Sequence, residues 1–157
     1  MITLSIPGFK QDLTIEHLML DFNGTLAVAG KLIDGVREAL SGLANKPEIH
    51  IITANTFGTT EEECKGIPCK ITLLEAENQG LEKEKYSMGL NPLRVIGIGN
   101  GRNDMLMIKA AAIGIVVIQK EGAATETLAV ADIVCTSVID ALEAINNPKS
   151  LMATLRN

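Results

Sequence analysis

The chain is predicted to form a three-layer, Rossmann-like α/β fold around a mainly parallel sheet. Three observations predict it. Short apolar runs alternate with helical patterns along the whole length. Several of those runs are apolar nearly throughout, as strands covered by helices on both faces must be. Two of them, ending at Leu20 and Ile98, lead into glycine-containing turns with a carboxylate, Asp21 and Asp104, at the sheet end where open α/β folds bind ligands.

Strands are expected at Ile2 to Ile6, Ile15 to Leu20, Ile49 to Thr53, Lys70 to Leu74, Arg94 to Ile98, Ile113 to Ile118 and Asp132 to Cys135. Leu26 to Ile33, with Gly30 near its centre, reads as a short hairpin. Asp34 can cap a helix whose apolar positions Val36, Leu40 and Leu43 keep helical spacing. Thr59 with Glu62, or Thr60 with Glu63, gives a capping-box pattern for the next helix. Further helices are read at Leu81 to Leu90, Asn103 to Ala112, Ala123 to Ala131, Ser137 to Ile145 and Pro148 to Leu155. Asn147-Pro148 divides the last two, since proline disfavours a helical residue before it.

A length of 157 residues suits one domain spanning 1–157, enough to bury roughly two-thirds of the surface the unfolded chain exposes. Fourteen Lys and Arg against 19 Asp and Glu leave a net charge of −5, which disfavours nucleic acid and anionic membranes as partners. A single tyrosine and no tryptophan remove the usual base-stacking platforms. The longest apolar stretch, Ala110 to Ile118, is too short for a membrane helix, and Met1 to Lys10 lacks a signal pattern; a cytoplasmic location is expected. Cys64, Cys69 and Cys135 form no CxxC pair and read as reduced packing residues.

Asp21 directly follows Leu18-Met19-Leu20, so its carboxylate should emerge at a strand tip inside the turn Phe22 to Leu26. Such a turn can cradle an anion, although Asn23-Gly24 is also an ordinary turn dipeptide. The second segment, Gly99-Asn100-Gly101-Arg102-Asn103-Asp104, adds another carboxylate, and magnesium commonly takes one or two carboxylates with phosphate and water oxygens. Gly97, Gly99 and Gly101 do not fit GxGxxG, because position 102 is arginine. Thr53 ends an apolar strand and can either donate to a phosphate oxygen or cap the following turn. Lys83 or Lys85 could neutralise a phosphate and its nucleophile, while His17 and His50 read as structural.

Asp21, Thr53, a lysine and Gly99 to Asp104, in this order, resemble the haloacid dehalogenase superfamily over nearly the whole chain. Asp21-Phe22-Asn23-Gly24-Thr25-Leu26 is similar to the Asp-Lys-Thr-Gly-Thr-Leu signature of the P-type ATPase phosphorylation domain. Gly99 to Asp104 resembles its Gly-Asp-Gly-x-Asn-Asp, and Ala131-Asp132-Ile133-Val134 its later Ala-Asp-Ile-Val strand. The resemblance implies a magnesium-dependent phosphohydrolase in which Asp21 becomes an aspartyl phosphate. It implies catalytic positions at Asp21, Asn23, Thr53 and Lys83, and phosphate binding by Asp21, Phe22, Asn23, Thr53, Ala54 and Lys83. The implied metal positions are Asp21, Asn23 through its backbone carbonyl, Asn100 and Asp104. Lys83 suits the family's helix pattern better than Lys85.

Two positions depart from the family. Asn23 stands where many phosphatases have an aspartate that protonates the leaving group and later activates water, and Asn100 where a metal-binding aspartate is usual. The first change implies slow or specialised turnover, since acid–base help is worth about 10² to 10⁴ in rate. The second implies weaker magnesium binding. A phosphate-binding or regulatory module with impaired catalysis is the alternative. The Asp21–Thr53 and Thr53–Lys83 intervals leave no room for a cap domain, and capless relatives act on large substrates or close the site by homo-oligomerisation. A phosphorylated substrate is the implied partner.

Overall fold

The computed structural model describes residues 1–157. In chain order the elements are β1 (Ile2–Leu4), β2 (Leu13–Ile15), β3 (His17–Leu20), β4 (Ala27–Val28), β5 (Lys31–Leu32), α1 (Val36–Leu43), β6 (Glu48–Thr53), α2 (Thr60–Glu63), β7 (Lys70–Leu73) and α3 (Gln79–Gly89). Then follow β8 (Val95–Gly99), α4 (Met105–Ala110), β9 (Ile113–Val117), α5 (Thr125–Leu128), β10 (Ile133–Cys135), α6 (Val138–Asn146) and α7 (Pro148–Leu155). Two 3₁₀ turns, Pro92–Arg94 and Arg102–Asp104, precede β8 and α4.

Six strands form one sheet in the order β10-β9-β8-β3-β6-β7, and every neighbouring pair is parallel. From β3 the chain runs outward through β6 and β7, then crosses back to β8 on the other side of β3. The order therefore reverses between β3 and β8, which opens a crevice at their carboxyl ends. Leu20 is registered against Ile98 there, and the Asp21 amide donates to the Ile98 carbonyl at 3.0 Å.

Alternation along the strands sorts the core into two faces. Leu18, Leu20, Ile49, Ile51, Ile96 and Ile98 pack with Leu40 and Leu43 of α1 and Leu142 and Ile145 of α6. Met19, Ile52, Val95 and Val116 point the other way, against Met107 and Ile108 of α4 and Tyr86 of α3. Each fully buried Leu or Ile contributes about 1.5–3 kcal/mol. No helix is long and apolar enough to cross a membrane.

Several elements differ from the sequence expectation. The run Ile15 to Leu20 is divided at Glu16, whose amide donates to the Arg94 carbonyl and whose carbonyl accepts from the Glu48 amide. Before it, β2 pairs antiparallel with β1, so Ile2 to Ile6 supplies a side hairpin and no strand of the main sheet. Asp34 does not cap α1; Gly35 occupies that position with φ +88°, a conformation glycine adopts without steric cost. Neither threonine forms a capping box at α2. The Thr59 hydroxyl donates to the Gly30 carbonyl at 2.5 Å, tying this loop to the β4–β5 hairpin, and that of Thr60 donates to Asn55 Oδ1 at 2.8 Å within the loop itself. The Leu26 to Ile33 segment does form a hairpin, β4 with β5. Its turn residues Ala29 and Gly30 both have positive φ, the geometry that suits a two-residue hairpin. Asn147 separates α6 from α7, which begins with Pro148, where the missing proline N–H is not needed.

Candidate active site

Asp21, Lys83 and Asp104 meet at the β3/β8 crevice. Lys83 Nζ donates to Asp21 Oδ1 at 2.6 Å and to Asp104 Oδ1 at 2.6 Å. Lys83 and Asp104 are fully buried and Asp21 is 6% exposed. Each arrives from a different element: Asp21 from the tip of β3, Lys83 from the second turn of α3, and Asp104 from the 3₁₀ turn after β8. Lys85 is exposed and takes no part.

Asp104 is held from both sides. Its Oδ2 accepts the backbone amides of Asn100 and Gly101, each at 2.9 Å, so the Gly99–Asp104 turn folds around its own carboxylate. A Cβ at Gly99 would run into that side chain. The first loop interlocks with the second at Gly24, whose φ is +84° and whose Cβ position is filled by the Asn100 side chain. A larger residue at Gly24 would strain the turn and push Asn100 away.

Two residues that the sequence reading did not single out connect these loops. The Thr25 hydroxyl lies 3.5 Å from Asp21 Oδ2 and 3.3 Å from Asn100 Oδ1. Gln119, just beyond β9, donates to the carbonyls of Gly24 (3.1 Å) and Thr25 (2.8 Å) and accepts from the Val138 amide at 2.8 Å. Thr25 could have been suspected from its place four residues after Asp21; nothing in the local sequence marks Gln119. Thr53 stands at the same end of the sheet, buried, with its hydroxyl accepting the Asn55 amide at 3.1 Å, and Ala54 follows it. Phe22 is fully buried, and its carbonyl accepts the amides of Leu26 (2.8 Å) and Ala27 (2.9 Å), which curls the loop. Asn23 Oδ1 is buried without a hydrogen-bond partner.

One ammonium facing two carboxylates leaves a net negative charge out of water. Burial, reinforced by the Asp104 charge, pushes the Asp21 carboxyl up from 3.8 to about 7 despite Lys83. Burial alone would lower the Lys83 ammonium, but the two carboxylates outweigh it and hold Lys83 above its usual range. The side-chain donors brought together here are all hard oxygens: the Asp21 and Asp104 carboxylates and the Asn100 amide oxygen. That set fits magnesium and offers nothing to a thiophilic metal.

The raised Asp21 value has a definite sign. Between pH 3.8 and about 7 the folded state keeps a proton that the unfolded state has lost, so this contribution is complete below about pH 4 and is lost as pH rises through 7. Without divalent metal, the unfolding free energy of the wild type should fall between pH 5 and pH 8 relative to an Asp21→Asn variant. Urea titrations of both at the two pH values check this, and parallel pH profiles would refute it.

No family model matches the chain. The chain belongs to the family of the uncharacterized protein MJ0073 of Methanocaldococcus jannaschii, with 45% identity over 64 residues, 41% of this chain and 69% of that protein. A second protein of that organism, the uncharacterized protein MJ0072, is 46% identical over 39 residues, 25% of this chain and 89% of that protein. Among solved structures, the fold matches 3-deoxy-D-manno-octulosonate 8-phosphate phosphatase from Moraxella catarrhalis, in complex with magnesium, phosphate and KDO. The TM-score is 0.64 at 21% identity, over 90% of this chain and 94% of that one. It also matches the cobalt-bound phosphatase YrbI from Haemophilus influenzae, with TM-score 0.68 at 11% identity, over 87% and 90% of the two chains. The fold is that of haloacid dehalogenase superfamily phosphatases without a cap domain; the likeness to P-type ATPases rests on the motif residues.

Proposed function

We propose that the protein is a magnesium-dependent phosphohydrolase that works through an aspartyl phosphate on Asp21. The observation that carries this reading is the buried Asp21–Lys83–Asp104 cluster, with two carboxylates to one ammonium, at the point where the strand order reverses. A carboxylate oxygen of Asp21 attacks phosphorus, and the bond to the leaving group breaks with its electron pair departing on that group. Water then attacks the phosphorus of the aspartyl phosphate, releasing inorganic phosphate and restoring the carboxylate. Lys83 orients Asp21 and offsets charge as the phosphoryl group arrives. On this reading Phe22, Asn23, Thr53 and Ala54 receive the phosphate oxygens. Asp21, Asn23, Asn100 and Asp104 are the residues that would hold magnesium, which when bound supplies positive charge against the transferring phosphoryl group.

Asn23 shapes the substrate class. An amide cannot give a proton to an alkoxide, so leaving groups that depart without one, such as the carboxylate of an acyl phosphate, are favoured. Installing the acid should reveal what is missing: Asn23→Asp is expected to raise hydrolysis of an aryl phosphate ester by about 10²-fold or more, and that of an acyl phosphate by a smaller factor, because its leaving group needs no proton and only the shared water step gains from the new carboxylate. Steady-state phosphate release with magnesium measures both.

A second reading, a phosphate-binding module that does not turn over, is favoured by Asn23 and Asn100 standing at two functional positions. If neither the wild type nor Asn23→Asp releases phosphate from any ester or anhydride, that reading stands.

A further inference from the structure

At the opposite end of the strand that carries Asp21 lies a second polar cluster. His17 opens β3, and Glu48 and His50 lie on neighbouring β6, with His17 registered directly against Glu48. His17 Nδ1, His50 Nε2 and Glu48 Oε2 form a triangle with sides of 3.1, 3.2 and 3.4 Å. We propose that this triangle is a binding site for a divalent transition-metal ion of the zinc type, which joins β3 to β6 at the end of the sheet away from Asp21.

The dimensions support it. Zinc bonds nitrogen and oxygen at about 2.0–2.2 Å in tetrahedral geometry, which separates neighbouring ligand atoms by about 3.3–3.5 Å. The His17–Glu48 side, 3.4 Å, falls in that range and the other two, 3.1 and 3.2 Å, are slightly shorter, so the triangle approximates one face of a tetrahedron and leaves the fourth position open. Two imidazoles and one carboxylate favour zinc, cobalt or nickel over magnesium, which prefers oxygen alone.

Surrounding groups turn the three ligands inward. His50 Nδ1 lies 3.0 Å from the Tyr86 hydroxyl; with that nitrogen donating to the phenol oxygen, the Nε2 lone pair faces the triangle, the usual support for a metal-bound histidine. Lys70 Nζ holds Glu48 Oε1 at 2.6 Å, leaving Oε2 for the centre. Access is open from one side only: the His50 side chain is 1% exposed, while those of His17 and Glu48 are 19% and 42% exposed.

Cobalt(II) titration with millimolar magnesium present tests the site, because four-coordinate cobalt absorbs in the visible. One equivalent should bind with a tetrahedral spectrum, and zinc should displace it. His17→Gln and Glu48→Gln, both at partly exposed positions, should each weaken cobalt binding at least tenfold, and Tyr86→Phe should weaken it by about tenfold. Asp21→Asn and the double variant Cys64→Ser, Cys69→Ser should bind as the wild type does. Circular dichroism of each variant identifies any that fail to fold, and the remaining ligand variant then decides. Overturning results are no equimolar binding by the wild type, a thiolate-to-cobalt charge-transfer band, or unchanged binding in a folded His17→Gln or Glu48→Gln protein.

Discussion

Replacing Lys83 with methionine is expected to destabilise the protein by about 3–5 kcal/mol at pH 8, the range for removing one partner from a buried ion cluster. The shape of the side chain is nearly kept, so the loss is electrostatic. Asp21 and Asp104 would remain beside each other, buried and without their shared ammonium. The loss should shrink at pH 5, where Asp21 takes up a proton more readily than before, since its pull from Lys83 has gone. Urea denaturation at the two pH values without divalent metal measures it. A loss below about 1 kcal/mol, equal at both, would show that the cluster is not the buried charge assembly described above.

Changing Asp21 to asparagine should move activity and stability in opposite directions. Phosphate release should fall at least about 10³-fold, because the amide oxygen is a poor nucleophile. Stability without metal at pH 8 should rise by about 1–3 kcal/mol. That is less than the roughly 4 kcal/mol corresponding to a shift from 3.8 to about 7, because Lys83 loses an ionic partner. The gain arises because Lys83 and Asp104 become a balanced pair and the Thr25 hydroxyl, which donates to Asp21 Oδ2, can accept from the new amide instead. Such opposition marks a site that keeps an unfavourable charge for its chemistry. An inactive variant of lowered stability would point to general damage.

The sheet strands and both motif loops were legible because buried parallel strands leave continuous apolar runs and because Asp21 and Asp104 each follow one directly. Lys83 was legible only together with Lys85; three-dimensional placement separates them, one fully buried on α3 and the other exposed. The division at Glu16 was hidden because Ile15 to Leu20 keeps a strand-like composition on both sides of it. Capping at α2 failed because local sequence cannot show that Gly30 and Asn55 compete for the threonine hydroxyls. Gln119 and the His17–Glu48–His50 triangle escaped for a related reason. Gln119 reaches Gly24 and Thr25 across 95 and 94 residues and His17 reaches His50 across 33, and no short motif encodes such distances.

The strand order has a consequence in time. β3 is made early, yet its two neighbours in the sheet are β6 and β8, and every strand pair in that sheet is parallel and closes a long loop. Parallel pairing of this kind is slow, since chain entropy is lost before the contacts form. On a chain growing from its N-terminus, Leu18, Met19 and Leu20 lack one wall until Val95 to Gly99 has been synthesised, and Asp21 lacks the turn that carries Asp104. The nascent chain must therefore shelter an apolar strand until β8 has emerged, and the site cannot take shape before then.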